Sequence, residues 1–120
     1  MVVKFNSIPV LHLPGRDLRL TIDPEVKARD SITAIITEIA PGCELPVHKH
    51  DVGEETMYFA AGTADTVCDG EIIRVGVGDT FNVPAGSTHT VRNVGTETVR
   101  MFCVFNPPID TSHFKTLAGK

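Results

Sequence analysis

Three histidines and one glutamate stand at spacings that suit a single metal ion. His48 and His50 are one residue apart, Glu55 follows five positions on, and His89 comes after Pro84-Ala85-Gly86. On an extended strand, residues two apart share a face and lie about 6.6 Å apart. His48 and His50 therefore project side by side, within reach of one ion at about 2.0–2.1 Å, with zinc as the reference. Glu55 opens the next strand after a turn at Asp51-Val52-Gly53, which can bring its carboxylate back beside the pair. His89 arrives from a different hairpin and completes the set across the interior, with Val91 and Asn93 on its face. Imidazole and carboxylate together form an N/O donor set for a divalent transition metal. A lone histidine in a β-protein is commonly a surface or hydrogen-bonded residue, so the reading rests on the four occurring together.

The same parity sorts the neighbours. Glu54 falls on the face opposite Glu55 and reads as a solvated acid, while His12 and His113 read as surface or tail histidines. Met57 and Phe59 share the face of Glu55, and with Arg100 directed to solvent, Met101, Cys103 and Phe105 turn inward. These five are the candidate pocket wall, with simple core packing as the alternative for each. Tyr58 and Arg92 point away, and Cys43 reads as a turn residue. The wall is then mostly apolar, without an inward arginine, which suits a compact, weakly charged substrate such as a diketone, enol, hydroxy-ketone or phenolic.

The elements that must carry these residues are strands. Valine, isoleucine, threonine and phenylalanine recur in short runs, punctuated by glycine and proline, the profile of an all-β sandwich or barrel with little helix. Strands are expected over 31–40, 55–61, 63–68, 71–75, 80–83, 88–94 and 98–105, with His48 and His50 on a short extended piece over 46–50. Asp69-Gly70 between two alternating runs is a strong hairpin signal, because a type I′ turn needs positive φ at both central residues. Pro84-Ala85-Gly86 fits a tight turn with proline second and glycine fourth. Strands 88–94 and 98–105 are expected to pair around Gly95-Thr96. Residues 1–30 offer one or two peripheral strands with a turn at Pro14-Gly15 and a break at Asp23-Pro24. Pro107-Pro108 ends the last strand, and 107–120 is a tail of loop or short helix. The whole of 1–120 reads as one domain, with the barrel proper over 31–106.

Fifteen acidic and eleven basic residues give a net charge of −4, without long runs of one sign. No basic patch marks a nucleic-acid partner, and no apolar stretch is long enough to span a membrane as a helix. The three cysteines, Cys43, Cys68 and Cys103, form no CxxC pair, which argues against a disulfide framework and against a thiolate zinc site. With no export signal in Met1–Asn6, a cytoplasmic location is the expectation.

Two segments carry a resemblance. Gly42-x5-His48-x-His50-x4-Glu55-x6-Gly62 and Gly78-x5-Pro84-x-Gly86-x2-His89-x3-Asn93 are similar to the paired signature motifs of the cupin superfamily, complete at every marked position. The resemblance implies a jelly-roll barrel (a double-stranded β-helix) of six to eight strands with a metal inside one open end. It also implies that His48, His50, Glu55 and His89 bind Fe, Mn, Ni, Co, Cu or Zn, and that the chain forms a homodimer. Four protein ligands around an ion that prefers six leave two adjacent positions, on which a substrate can chelate through oxygen. The expected function is thus a metal-dependent enzyme on a small oxygen-chelating organic molecule, an oxygenase or other oxidoreductase first. A non-redox lyase, decarboxylase or isomerase, or a non-catalytic metal- and ligand-binding module, stands as the alternative. Glu55 is the candidate catalytic residue, either as a permanent ligand or as a proton acceptor that leaves the metal.

Overall fold

The computed structural model describes residues 1–23 and 31–118. Among these residues nine strands run in chain order: β1 Leu11–Leu13, β2 Arg16–Ile22, β3 Thr33–Ile39, β4 Glu54–Ala61, β5 Ala64–Cys68, β6 Glu71–Val75, β7 Thr80–Val83, β8 His89–Asn93 and β9 Val99–Asn106. A 3-10 turn at Phe5–Ser7 precedes them, and the single α-helix among the described residues, α1, follows at Ser112–Ala118. The strands form a six-stranded sheet, β1-β2-β3-β9-β4-β7, and a three-stranded sheet, β6-β5-β8. Every pairing between strands is antiparallel. This is the jelly-roll expected, with β1 and β2 extending the large sheet to give more strands than the six to eight anticipated. The expected loop beyond Asp23 lies outside the described residues.

Period-two patterning sets which faces meet. On β4, Glu55, Met57 and Phe59 are buried while Glu54, Tyr58 and Ala60 are exposed. On β9, Val99, Met101, Cys103 and Phe105 are buried against exposed Arg100 and Phe102. A one-residue slip would turn each of these sets to water, so the register Glu55↔Phe105, Met57↔Cys103, Phe59↔Met101 is held by burial. Met57, Phe59, Val91, Val99 and Met101 are almost wholly excluded from solvent. Each contributes about 1.5–3 kcal/mol of transfer free energy for a side chain of this size.

Two local expectations need correction. Strands β8 and β9 do not pair with each other: β8 lies beside β5 in the small sheet, and β9 lies between β3 and β4 in the large one. Asn93 explains the crossing. Its Nδ2 donates to the carbonyls of Ile39 and Glu97, both at 2.8 Å, and its Oδ1 accepts the N–H of Gly95 at 2.9 Å. The 94–98 connection is thereby bent across the barrel end rather than folded into a hairpin. In the second case, Ser87 N donates to Pro84 O at 3.3 Å, so Pro84 is the first residue of its turn and Gly86 the third, at φ +83°. Position three of a type II turn requires positive φ, which is the reason for glycine there. The Asp69-Gly70 hairpin is as expected, with φ +49° and +86°.

Candidate metal centre

The site is assembled from both sheets. Residues Glu44–His50 run alongside β8 without forming a continuous strand, joined by the bridges Glu44↔Arg92 and His48↔His89. Backbone hydrogen bonds hold this segment in place: Leu45 N to Val91 O at 3.0 Å, His48 N to His89 O at 3.1 Å, and His89 N to His48 O at 2.8 Å. Gly86 N donates to His50 O at 2.7 Å and closes the edge. The imidazoles of His48 and His89 are thus laterally adjacent, 4.1 Å between centroids, with His50 5.1 and 5.5 Å from them. Glu55 faces them from β4 of the large sheet.

One donor atom from each of His48, His50, Glu55 and His89 can be chosen so that all lie within 4.8 Å of one another. Glu55 Oε1 is 3.2 Å from His89 Nε2 and 3.3 Å from His50 Nε2. Two adjacent ligands on one ion at about 2.1 Å would be about 3.0 Å apart, so these separations are close to those of neighbouring ligands. His48 Nδ1 donates to Pro46 O at 2.7 Å and His89 Nδ1 to Ser87 O at 3.2 Å. A carbonyl only accepts, so each Nδ1 carries a proton and each Nε2 is left to ligate. This is the outer hydrogen bond that fixes a metal-binding histidine in the right tautomer.

The remaining nitrogen tells the same story. His50 Nε2 is the one buried side-chain nitrogen or oxygen among the described residues without a hydrogen-bond partner, since its approach to Glu55 lacks hydrogen-bonding geometry. An unpaired buried polar atom costs roughly 1–3 kcal/mol. Three imidazoles and a 4 % exposed carboxylate converging on one point call for a cation between them. The donor set and the orphaned nitrogen therefore fit a divalent metal.

Electrostatics favour the ligating forms. Burial pushes the Glu55 carboxyl up, but the imidazoles of His50 and His89 beside it outweigh that and hold the group below the usual carboxylate range. Burial pushes His48 down, toward the neutral imidazole that binds metal. Cys103 is driven the other way: burial, then the charge of Glu55, raises its thiol well above the ordinary value. Its Sγ lies 3.7 Å from Thr37 Oγ1, and it is not among the residues that converge on the site.

A cavity of about 390 Å³ opens onto His48, His50 and Glu55. Of the five expected wall residues, Cys103 and Phe105 line it, together with Leu18, Ile35, Thr37 and Leu45. Met57, Phe59 and Met101 do face inward but belong to the core cluster and not to this wall. They were placed correctly by parity and wrongly by depth. Along the β4–β9 register the rungs descend from Glu55↔Phe105 to Phe59↔Met101, away from the opening.

The expectation of a wall without arginine also fails. Arg16 lines the cavity, as do Lys49, Asp110 and His113, so His113 is not merely a tail histidine. The alternation Arg16, Leu18, Leu20 after Pro14-Gly15 puts the three on one face, but does not by itself make β2 more than a peripheral strand. Other placements follow parity: Glu54 accepts from Asn82, Arg92 pairs with Glu44, Arg100 with Glu38, and His12 with Asp17, all at the surface. Tyr58 is exposed, and Cys43 follows the Pro41-Gly42 turn with its N–H on Ala40 O. No described helix is long and apolar enough to cross a membrane.

Comparison with known proteins agrees with this architecture. An uncharacterized protein of Methanocaldococcus jannaschii, MJ1618, is 26% identical over 102 residues, covering 83% of this chain and 80% of that one. A crystal structure from Thermotoga maritima, described as a predicted oxalate decarboxylase, superposes with a TM-score of 0.82 at 18% identity, over 89% of this chain and 99% of that one. The oxalate decarboxylase of Lactobacillus farciminis, solved with formate, gives 0.79 at 27% identity over 87% of this chain and 32% of its own. The family model of the cupin domain matches residues 35–105, from the middle of β3 to the end of the cavity wall on β9, and the chain belongs to the cupin family.

Proposed function

We propose that this protein is a metal-dependent enzyme acting on a small organic substrate that chelates the metal through oxygen. The observation that carries the reading is the convergence of three imidazoles and Glu55 at one end of an open cavity, with His50 Nε2 otherwise unpartnered. When bound, a divalent ion supplies Lewis acidity to a chelated carbonyl or enol, and a redox-active one adds dioxygen chemistry. The protein's own contribution is positional. The carbonyls of Pro46 and Ser87 hold two imidazoles in their ligating tautomer. Leu45, Phe105, Ile109 and Phe114 give the cavity an apolar lining that limits water. Glu55, buried between His50 and His89, either stays on the ion or turns to accept a substrate proton.

The oxygenase form of this reading comes first. A non-redox form, decarboxylase, lyase or isomerase, is favoured by the 27% identity to a protein named as an oxalate decarboxylase. Metal analysis by mass spectrometry on untagged protein, beside the His48→Ala/His89→Ala double variant, tests the common premise. About one metal per chain, lost in the double variant, is the expected result, and no metal even after titration would overturn it. Substrate-dependent oxygen uptake by the Fe(II) form then supports the oxygenase, whereas turnover with Zn or Ni under nitrogen supports the non-redox form.

A further inference from the structure

The arginines among the described residues fall into two groups. Arg19 pairs with Glu38, Arg74 with Asp65 at 2.9 Å, Arg92 with Glu44 at 2.7 Å and Arg100 with Glu38 at 2.9 Å. Arg16, half-buried in the cavity wall, pairs with no carboxylate among the described residues. Its one hydrogen bond among the described residues runs from Nη1 to Pro14 O at 2.9 Å. A guanidinium offers five N–H donors in a planar fork, so most of its capacity is unused.

The carboxylates nearest to it in the chain or along the cavity are engaged elsewhere. Asp17 accepts from His12 at 2.8 Å, and Glu44 is taken by Arg92. Asp110, which shares the cavity wall, accepts the N–H of Ser112 at 2.9 Å at the start of α1. Glu55 is enclosed by His50 and His89. Burial also pushes the Arg16 guanidinium down from its ordinary value, with no carboxylate among the described residues to offset it. A cation stripped of part of its water and given no counter-charge is costly to keep, unless an anion joins it.

Its placement beside the metal centre is built into the backbone. Arg16 follows the β1–β2 turn, where Gly15 sits at φ +78° so close to the next segment that a Cβ would lie 2.3 Å from Glu44 O. Glu44 begins the Glu44–His50 segment that carries His48 and His50 to β8. The turn that presents Arg16 is thus packed against the base of the segment that presents two metal ligands. Along β2, Arg16 shares its face with Leu18, which lines the same cavity.

We infer that Arg16 is the anion-binding group of this cavity, and that the substrate is a small organic carboxylate held by Arg16 at one end and by the metal through a second oxygen at the other. This rests on the metal-dependent reading above and narrows its substrate class from weakly charged diketones and phenols to oxo- or hydroxy-acids. The planar fork of arginine matches a carboxylate in bidentate fashion, which a lysine at the same place would not reproduce. Leu18, Ile35 and Leu45 line the same cavity and suit a short apolar linker.

The test measures binding of pyruvate, acetoacetate and levulinate, each against its own methyl ester, to nickel-loaded and metal-free protein. Wild type, Arg16→Gln and Arg16→Lys are compared, with nickel stoichiometry and circular dichroism recorded for each. At least one acid should bind wild type better than its ester by a ratio that falls about tenfold or more in Arg16→Gln, as for loss of a charge-assisted hydrogen-bond pair. Arg16→Lys should recover part of it, and ester binding and nickel stoichiometry should not change. The ratio should persist in metal-free protein, because Arg16 is not a ligand. If Arg16→Gln keeps the wild-type ratio in both forms, or no probe binds either form, the inference is overturned even where nickel binds at one per chain. If nickel does not bind but the Arg16-dependent ratio survives, the metal reading fails and the anion site stands.

Discussion

Replacing His89 by alanine separates the fold from the site, and its cost can be worked from the structure. The backbone of residue 89 exchanges two hydrogen bonds with residue 48, at 2.8 and 3.1 Å, and an alanine keeps both. What is lost is a fully buried imidazole, its Nδ1 bond to Ser87 O at 3.2 Å and its Nε2 approach to Glu55 at 3.2 Å. One net hydrogen bond at about 1 kcal/mol, plus the cavity left by the buried ring, come to about 2–4 kcal/mol in the metal-free protein. That is within the about 5–15 kcal/mol that holds a domain of this kind together, so the variant should fold.

Metal adds a second, separable quantity. A ligand at 100 times its dissociation constant stabilises the native state by about 2.7 kcal/mol. For a chain of 120 residues that corresponds to a rise in Tm of about 10 °C. Thermal unfolding with and without zinc should show this rise in wild type and little of it in His89→Ala. An equal zinc-induced rise in both proteins would refute the assignment of His89 to the metal. An unfolded His89→Ala protein would instead mean that the apolar core cannot stand without the site.

Two further perturbations probe what holds the cavity and the sheet. Thr111 Oγ1 donates to the fully buried Asp23 at 2.7 Å, and Lys115 reaches the other oxygen at 3.2 Å, which ties residues 107–118 over the cavity. Thr111→Val should cost about 1–3 kcal/mol by leaving Asp23 short of a donor, and should speed amide exchange in 109–118 more than in β3 or β9; uniform acceleration would contradict a local anchor. The Glu38 carboxyl sits below its usual range: burial raises it, but hydrogen bonds and charge from Arg100 and Arg19 outweigh that. A depressed folded value adds stability that is present above the unfolded value and is lost as pH falls through the folded one. Glu38→Gln should therefore destabilise at neutral pH by about 1 kcal/mol and lose less than wild type on acidification, and parallel acid profiles for the two proteins would refute the pairing.

Three of the four clustered residues were legible because their information is local, and His89 stood out through the Pro84-Ala85-Gly86 turn before it. His48, His50 and Glu55 lie within eight residues, and two-residue alternation alone puts the first two on one face. Strand positions were legible for the same reason, with Glu71–Val75 and Thr80–Val83 bounded by glycine and turn residues. Pairing was not. Gly95-Thr96 between two apolar runs looks like a hairpin, yet the sheet chosen by β9 depends on β3 and β4 lying on either side of it. Arg16 was missed on similar grounds. Its inward face follows from β2 being a full member of the large sheet beside β3, and nothing within 11–22 reveals that. Depth is also non-local: parity sends Met57 and Phe105 to the same interior but does not say which one meets the opening.

The division of the ligands between sheets has a consequence for how the site works. His48, His50 and His89 are held on the β8 side through backbone hydrogen bonds, whereas Glu55 belongs to β4, paired with β7 and β9. An ion at this place would cross-link the two layers. Yet the layers are already joined by Met57, Phe59, Val83, Val91 and Met101, buried without any help from the site. The barrel core thus does not depend on an ion at this place. Keeping three imidazoles and a buried carboxylate together, with one nitrogen unpaired, costs stability that an apolar filling would not. A cluster that the fold does not need, kept at a cost and opening onto a cavity whose wall holds an arginine with no carboxylate partner among the described residues, is best explained by what it binds.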